Sequence, residues 1–189
     1  MEKLSALRKP VLSGLCFLGM ALTGCAQAAE SDNGEAGLYI EVFETLMAED
    51  PGLNDGAEYM ALDFSELPET AGPMQPGENG DLDEPGGEAE TVSEETAQAV
   101  IEYMGDEYGM DIMQADFEEL KARGLFNEET LSLEGVLLEI QDLRYTGAEE
   151  AVVEARKYTS GLGAIGLEIT LVKEGDSWET ADVRMLWIS

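Results

Sequence analysis

A chain of 189 residues with 44% hydrophobic content can bury one full core, while a formal net charge of −31 excludes nucleic-acid binding, because phosphates need Lys and Arg. There is no His and there are only two Cys, which removes the usual general base, the Ser–His and Cys–His pairs and the commonest zinc ligand. Neither a cofactor nor a metal site is expected.

The chain opens MEKLSALRKPVLSGLCFLGMALTGC. Lys3, Arg8 and Lys9 form a basic start, and the uncharged run 11–22 has the length of a signal-peptide core, too short to span a bilayer as a helix. Leu22-Thr23-Gly24-Cys25 then resembles the lipobox of bacterial lipoproteins. That resemblance implies a signal peptide over 1–24, lipidation of Cys25 as the mature N-terminus, and anchoring in the cell envelope on the extracytoplasmic face of the membrane. Ala26-x-Ala28 also fits an ordinary secretory cleavage site. Cys16 lies in the removed segment, so the lipidated protein would hold no free thiol and no disulfide. Residues 1–24 carry three basic residues and Glu2, so their removal leaves a net charge of about −33. Such a protein stands off anionic lipid and is held to the membrane by its acyl chains.

Residues 25–33 read as a tether, and 34–189 as a single α+β domain. Leu38, Val42, Leu46 and Met47, with Tyr39 and Phe43, predict a helix over 34–50 that Pro51-Gly52 ends. Tyr59 to Phe64 is a candidate strand, with Met60, Leu62 and Phe64 on one face. Residues 66–90, rich in Pro, Gly and acid, read as a disordered loop. Asp81-x-Asp83 within it fails as an EF-hand, since Pro85 and Val92 stand where ligands belong. Thr91-x-x-Glu94 predicts a capping box for a second helix bearing Ala97, Val100, Ile101, Met104 and Tyr108 and ending near Gly109. Asp116 caps a third, shorter one with Phe117 and Leu120, closed by Gly124. From Leu131 the period changes to two, giving strands near 132–143, 150–159, 164–173 and 178–188. The expected fold has two to three helices packed on one face of an antiparallel four-stranded C-terminal meander, to which the candidate near 58–64 would add one strand.

Gly161-x-Gly163-x-x-Gly166 matches the dinucleotide-binding fingerprint, but LEITLV follows it as a strand where a helix must open. The glycines are read instead as a turn and as room for an aromatic ring, Tyr158 over Gly166. Ile165, Leu167, Ile169 and Leu171 share the core with Ala181, Val183, Met185 and Trp187 if Glu168 faces Arg184, Thr170 faces Asp182, and the turn is Gly175-Asp176-Ser177. A Gly161-Leu162-Gly163 turn sets Arg156 opposite Glu168, and leaves Lys157 opposite Leu167 on the apolar face.

This pairing yields a candidate ligand face of Arg156, Tyr158, Glu168, Trp178 and Arg184, able to hold an anionic or sugar ligand. The bland alternative is a solvated outer face with ordinary cross-strand pairs. Asp63, Glu139, Asp142 and Glu168 are the carboxylates a hydrolase could use, though among 41 acidic residues some fall in strands by chance.

LYIEVFETL, GLNDGAEYMALDFSEL, YTSGLGA and the hairpin before Trp178 resemble a group of small secreted proteins of clostridia-like Gram-positive bacteria with no activity assigned. The order of helices then meander is similar to NTF2-like and cystatin-like α+β domains, and the NTF2-like class often holds a pocket between helices and sheet. Fold analogy implies no function. The sequence points to a non-catalytic module for a protein, peptide or glycan partner, with an accessory envelope lipoprotein as the alternative and a carboxylate-dependent hydrolase behind it.

Overall fold

The computed structural model describes residues 33–64 and 92–189. Cys25 and the acidic segment 66–90 lie outside them. The described chain is α+β, with three helices and a mostly antiparallel sheet. Helix α1 spans Asn33–Ala48 and is followed by a 3-10 turn over Pro51–Asn54. Then come β1 (Tyr59–Asp63), α2 (Glu94–Tyr108), β2 (Asp111–Gln114), α3 (Phe117–Ala122) and β3 (Phe126–Asn127). The meander is β4 (Ser132–Gly147), β5 (Glu150–Ser160), β6 (Gly163–Glu174) and β7 (Ser177–Ile188).

The sheet order is β2-β1-β4-β5-β6-β7, with β3 paired to the start of β4. Strand β1 runs parallel to both its neighbours, and all five of its residues are buried. A strand between two others, covered on both faces, has no polar side to offer, which accounts for the unbroken run YMAL. Met60 and Leu62 join the core beneath α1 and α2, whereas Tyr59 and Ala61 join a second cluster with Leu120, Leu133 and Leu137. Leu120 belongs to α3. The third helix therefore covers the opposite face of the sheet, and only α1 and α2 share the first.

The cap of α2 is Ser93, whose hydroxyl accepts from Thr96 N–H at 3.0 Å; the expected cap, Thr91, lies outside the described residues. Asp116 and Glu119 form the capping box of α3. Between α1 and the sheet, Leu38, Val42, Phe43 and Leu46 are fully buried against Met60, Ile140 and Leu167, so that interface is filled with side chains.

Helix α1 crosses the sheet obliquely. Gly37 lies beside Trp178, and the Thr45 and Thr180 hydroxyls are bonded at 2.9 Å, both on the first half of β7. The far end of the helix reaches β5, where Lys157 Nζ donates to the carbonyls of Glu49 and Asp50 and to Asn54 Oδ1. Lys157 does lie on the apolar face, opposite Ile165 and Leu138 rather than Leu167, and it is fully buried. Its three donors meet three acceptors on the chain just beyond α1, where Asp50 sits in the left-handed region at φ 44°, its carbonyl also accepts from Leu53 N–H at 3.1 Å, and Asn54 Nδ2 serves Met47 O at 2.8 Å. Burial pushes the Lys157 ammonium down to about 8, against the opposing pull of Asp50 and Glu49.

Candidate functional site

The expected pairs hold at the centre of the last hairpin: Glu168 faces Arg184 and Thr170 faces Asp182. The turn is two residues, Gly175-Asp176, with Gly175 at φ 68°, a conformation that suits a tight hairpin. That shortening is absorbed by an extra residue at Ala181, and a second extra residue stands at Leu186. Each bulge turns the rest of β7 over. Trp178 therefore pairs with Lys173 on the core face, where it is buried beside Tyr145 and α1. Trp187 pairs with Gly166 on the outer face and is 40% exposed. The two tryptophans have exchanged the places that strict alternation gives them. Trp178 leaves the candidate ligand face, and Trp187 leaves the core and joins that face.

The β5–β6 register departs by two residues. The turn is Gly161-Leu162 with Ser160 opposite Gly163, and Thr159 is an extra residue in β5. A slip of two keeps every side chain on its face. Arg156 consequently stays on the outer face, but it lies opposite Gly166, and Glu154 takes its place opposite Glu168. The ring over Gly166 is Trp187, whose indole a Cβ there would overlap, not Tyr158. Tyr158 stands opposite Ala164 and packs edge-on to Phe117 at 5.5 Å beneath α3, with its hydroxyl donating to Leu131 O at 2.8 Å. It belongs to the second core cluster, not to an open ligand face.

Two rows of side chains result across the outer face. The first runs Asp63, Glu139, Arg156, Gly166 and Trp187 over β1, β4, β5, β6 and β7. The Glu139 side chain is only 3% exposed. It accepts from Arg156 and, at 3.2 Å, from Gln141 Nε2. Burial pushes its carboxyl above the usual carboxylate range, with the Asp63 charge adding to the rise and Arg156 and Gln141 opposing it. Arg156 Nε is buried without a hydrogen-bond partner among the described residues. The second row runs Asp142, Glu154, Glu168 and Arg184. Arg184 donates to Glu168 Oε1 from Nε at 3.0 Å and from a terminal nitrogen at 2.7 Å. On the other side of Glu168 stands Arg144, 4.0 Å away and also paired with Asp142 at 2.6 Å and Glu154 at 3.4 Å. The ladder is thus Arg144–Glu168–Arg184. Arg156 is replaced in it by Arg144, which the sequence reading left out.

This ladder is open to water, with the Arg144 and Arg184 side chains 54% and 60% exposed. Glu168→Gln should then cost under about 1 kcal/mol in chemical denaturation. A loss near 3 kcal/mol would place the ladder in an occluded pocket instead.

Among the described residues, no group of three His, Cys, Asp or Glu side chains is arranged to hold a metal ion. No helix among them is long and apolar enough to cross a membrane. A cleft of about 340 Å³ opens at one end of the sheet between the 3-10 turn, the start of β4 and the β5–β6 turn, with Asp55 and Glu134 on its rim.

Comparison with protein-family models, with curated proteins and with solved structures gives no match. The outer face is therefore interpreted on its own chemistry. It joins an exposed indole, the Arg156 guanidinium and a charged ladder on a rigid sheet. Such a surface can stack against a flat apolar face and hydrogen-bond the groups around it. Asp63 and Glu139 betray themselves in the sequence only as single acids inside the runs YMALDF and VLLEI.

Proposed function

We propose that the protein is a lipid-anchored extracytoplasmic module that binds a ligand, without turning it over, on the outer face of its sheet. One observation carries this reading: Trp187 is laid over Gly166 in the same row as Arg156 and Glu139, and remains exposed. Burying an indole in the core would stabilise the fold, so an exposed one on a rigid, polar surface favours recognition. The ligand that suits it has a flat apolar side and hydrogen-bonding groups at its edge, as a saccharide unit does. The lipid anchor rests on the lipobox at Leu22–Cys25 and is checked by the mass of the mature N-terminal peptide, which an unmodified start at Ala29 would contradict.

The accessory-lipoprotein reading has the exposed apolar end of β7 in its favour. For a carboxylate-dependent hydrolase speak the neighbouring Asp63 and Glu139 and the raised carboxyl of the latter. Against it stands the seal on Glu139, whose carboxylate is held by Arg156 and Gln141 away from any substrate.

Trp178 is buried and Trp187 exposed, so a Trp178→Phe variant isolates the emission of Trp187. Titration with soluble N-acetylglucosamine oligomers and with an acidic polysaccharide should give a saturable change in that emission; in calorimetric titration, which needs no indole, Trp187→Ala should abolish the binding and Arg156→Gln should weaken it at least tenfold. No saturable response to either, or unchanged binding in Trp187→Ala, would remove the outer face as the ligand site.

A further inference from the structure

Seven large hydrophobic residues are exposed among those described: Tyr103, Leu131, Leu162, Met185, Leu186, Trp187 and Ile188. All but Tyr103 lie at one end of the sheet, where β4 begins, β5 turns into β6 and β7 ends. Four of them are consecutive on β7. That strand closes the sheet order on one side, so its outer edge has no strand partner among the described residues. The other edge strand, β2, is four residues long and packs against α2, which is how an edge is ordinarily protected. Strand β7 is twelve residues long.

Its edge is served over half its length. In the first half, Thr180 N–H donates to the Glu41 carboxylate of α1 at 3.0 Å, and Thr45 bonds Thr180. Helix α1 then diverges toward Lys157 on β5 and leaves 182–188 exposed at every position but Val183, which packs half-buried against the core. This second half stays seated on β6: its ladder is interrupted at the extra residue Leu186, resumes through Gly166–Trp187 and Ile165–Ile188, and ends with Ser189 N–H on Ala164 O at 3.0 Å.

We infer that the second half of β7 is a docking edge for an extended, basic segment of a partner protein, added as a further strand. Main-chain hydrogen bonds to the open edge would hold it, and the apolar side chains of Met185, Leu186 and Ile188 would contact alternate residues of the incoming strand. Charge selects the occupant. The chain carries −31 overall, and Glu179 and Asp182 are exposed on β7 itself, while Arg184 is already paired with Glu168. Two copies of so acidic a chain repel, and anionic lipid is repelled likewise. A lysine-rich strand gains from the same field. The inference does not depend on the saccharide reading of the outer face, which is tested at Trp187 with a different class of ligand.

The test uses two synthetic peptides, five Lys-Val repeats and five Glu-Val repeats, at physiological salt, with amide hydrogen exchange as the readout. The basic peptide should slow exchange at 182–188 at least tenfold and leave β2 unchanged, and the acidic peptide should do nothing. A Leu186→Lys/Ile188→Lys variant, altered only at exposed positions, should keep its melting temperature and lose the protection. Three results overturn the inference: no protection at 182–188, protection spread evenly over the acidic surface, or protection without peptide in a protein that sediments as a dimer, which would make a second copy the occupant.

Discussion

Lys157→Met is expected to lower the unfolding free energy by about 3 kcal/mol, and Lys157→Ala by about 1–2 kcal/mol more through the cavity it leaves. The methionine fills the same space but donates nothing. The carbonyls of Glu49 and Asp50 and the Asn54 Oδ1 would then be left without the ammonium that now joins them. The comparison also has a pH signature. The unfolded chain keeps the Lys157 proton up to about 10.5, whereas the folded chain releases it near 8. Between those values the unfolded state binds more protons, so the stability of the wild type rises with pH. The methionine variant lacks this contribution, and the gap between the two proteins should widen by about 1–2 kcal/mol from pH 8 to pH 9.5. Tyr59, Tyr103, Tyr108, Tyr145 and Tyr158 are all raised above 10, so that window lies below their titration. Denaturant melts at four pH values measure it. A gap that stays constant or narrows would show that the ammonium is not buried in this cage.

Lys157 also shows where sequence patterning runs out. A charged residue on an otherwise apolar strand face counts against a register on hydrophobic grounds alone. Here the amine's donors are wanted in spite of the burial of its charge, because the chain leaving α1 turns the carbonyls of Glu49 and Asp50 toward β5. Nothing local to YTSGLGA announces those carbonyls, which are supplied by residues more than 100 positions away.

The longer elements were legible, whereas the short strands β2 and β3 were not expected at all. The apolar stripe of α1, the turn chemistry around Asp116 and Gly109, and the period-two run after Leu131 each predict the element that forms. So was the centre of the last hairpin, because a one-residue slip there would turn Ile169 and Leu171 out of the core. The bulges were not legible. An extra residue at Ala181 or Leu186 costs little and has no compositional mark, yet each one reverses the facing of everything beyond it. This is why alternation assigned Trp178 to the ligand face and Trp187 to the core. The parallel placement of β1 between β2 and β4 was hidden for a different reason: the strand is short, and its partners are far apart in the chain.

Removing the guanidinium from the first row should have the other large effect. Arg156→Leu leaves Glu139 almost sealed from water with only Gln141 donating to it among the bonds described, beside a second buried acid, Asp63. A loss of about 3 kcal/mol or more at pH 8 is expected, since breaking a buried pair strands its partner. The acid can escape this cost by taking a proton. In the wild type the Glu139 carboxyl already stands above the usual range because of burial, and without Arg156, which now lowers it, it must rise further. A folded carboxyl that holds its proton to higher pH than the unfolded one contributes stability that is present below the unfolded value and lost as pH climbs through the folded value. The deficit of Arg156→Leu relative to wild type should therefore be small at pH 5 and grow toward pH 8. The double variant Arg156→Leu/Glu139→Leu removes the stranded charge and should recover most of the loss at pH 8, with a deficit that no longer grows with pH. If the single variant were equally destabilised at both pH values, Arg156 would be acting through its packing against the sheet and not as the counter-charge of Glu139.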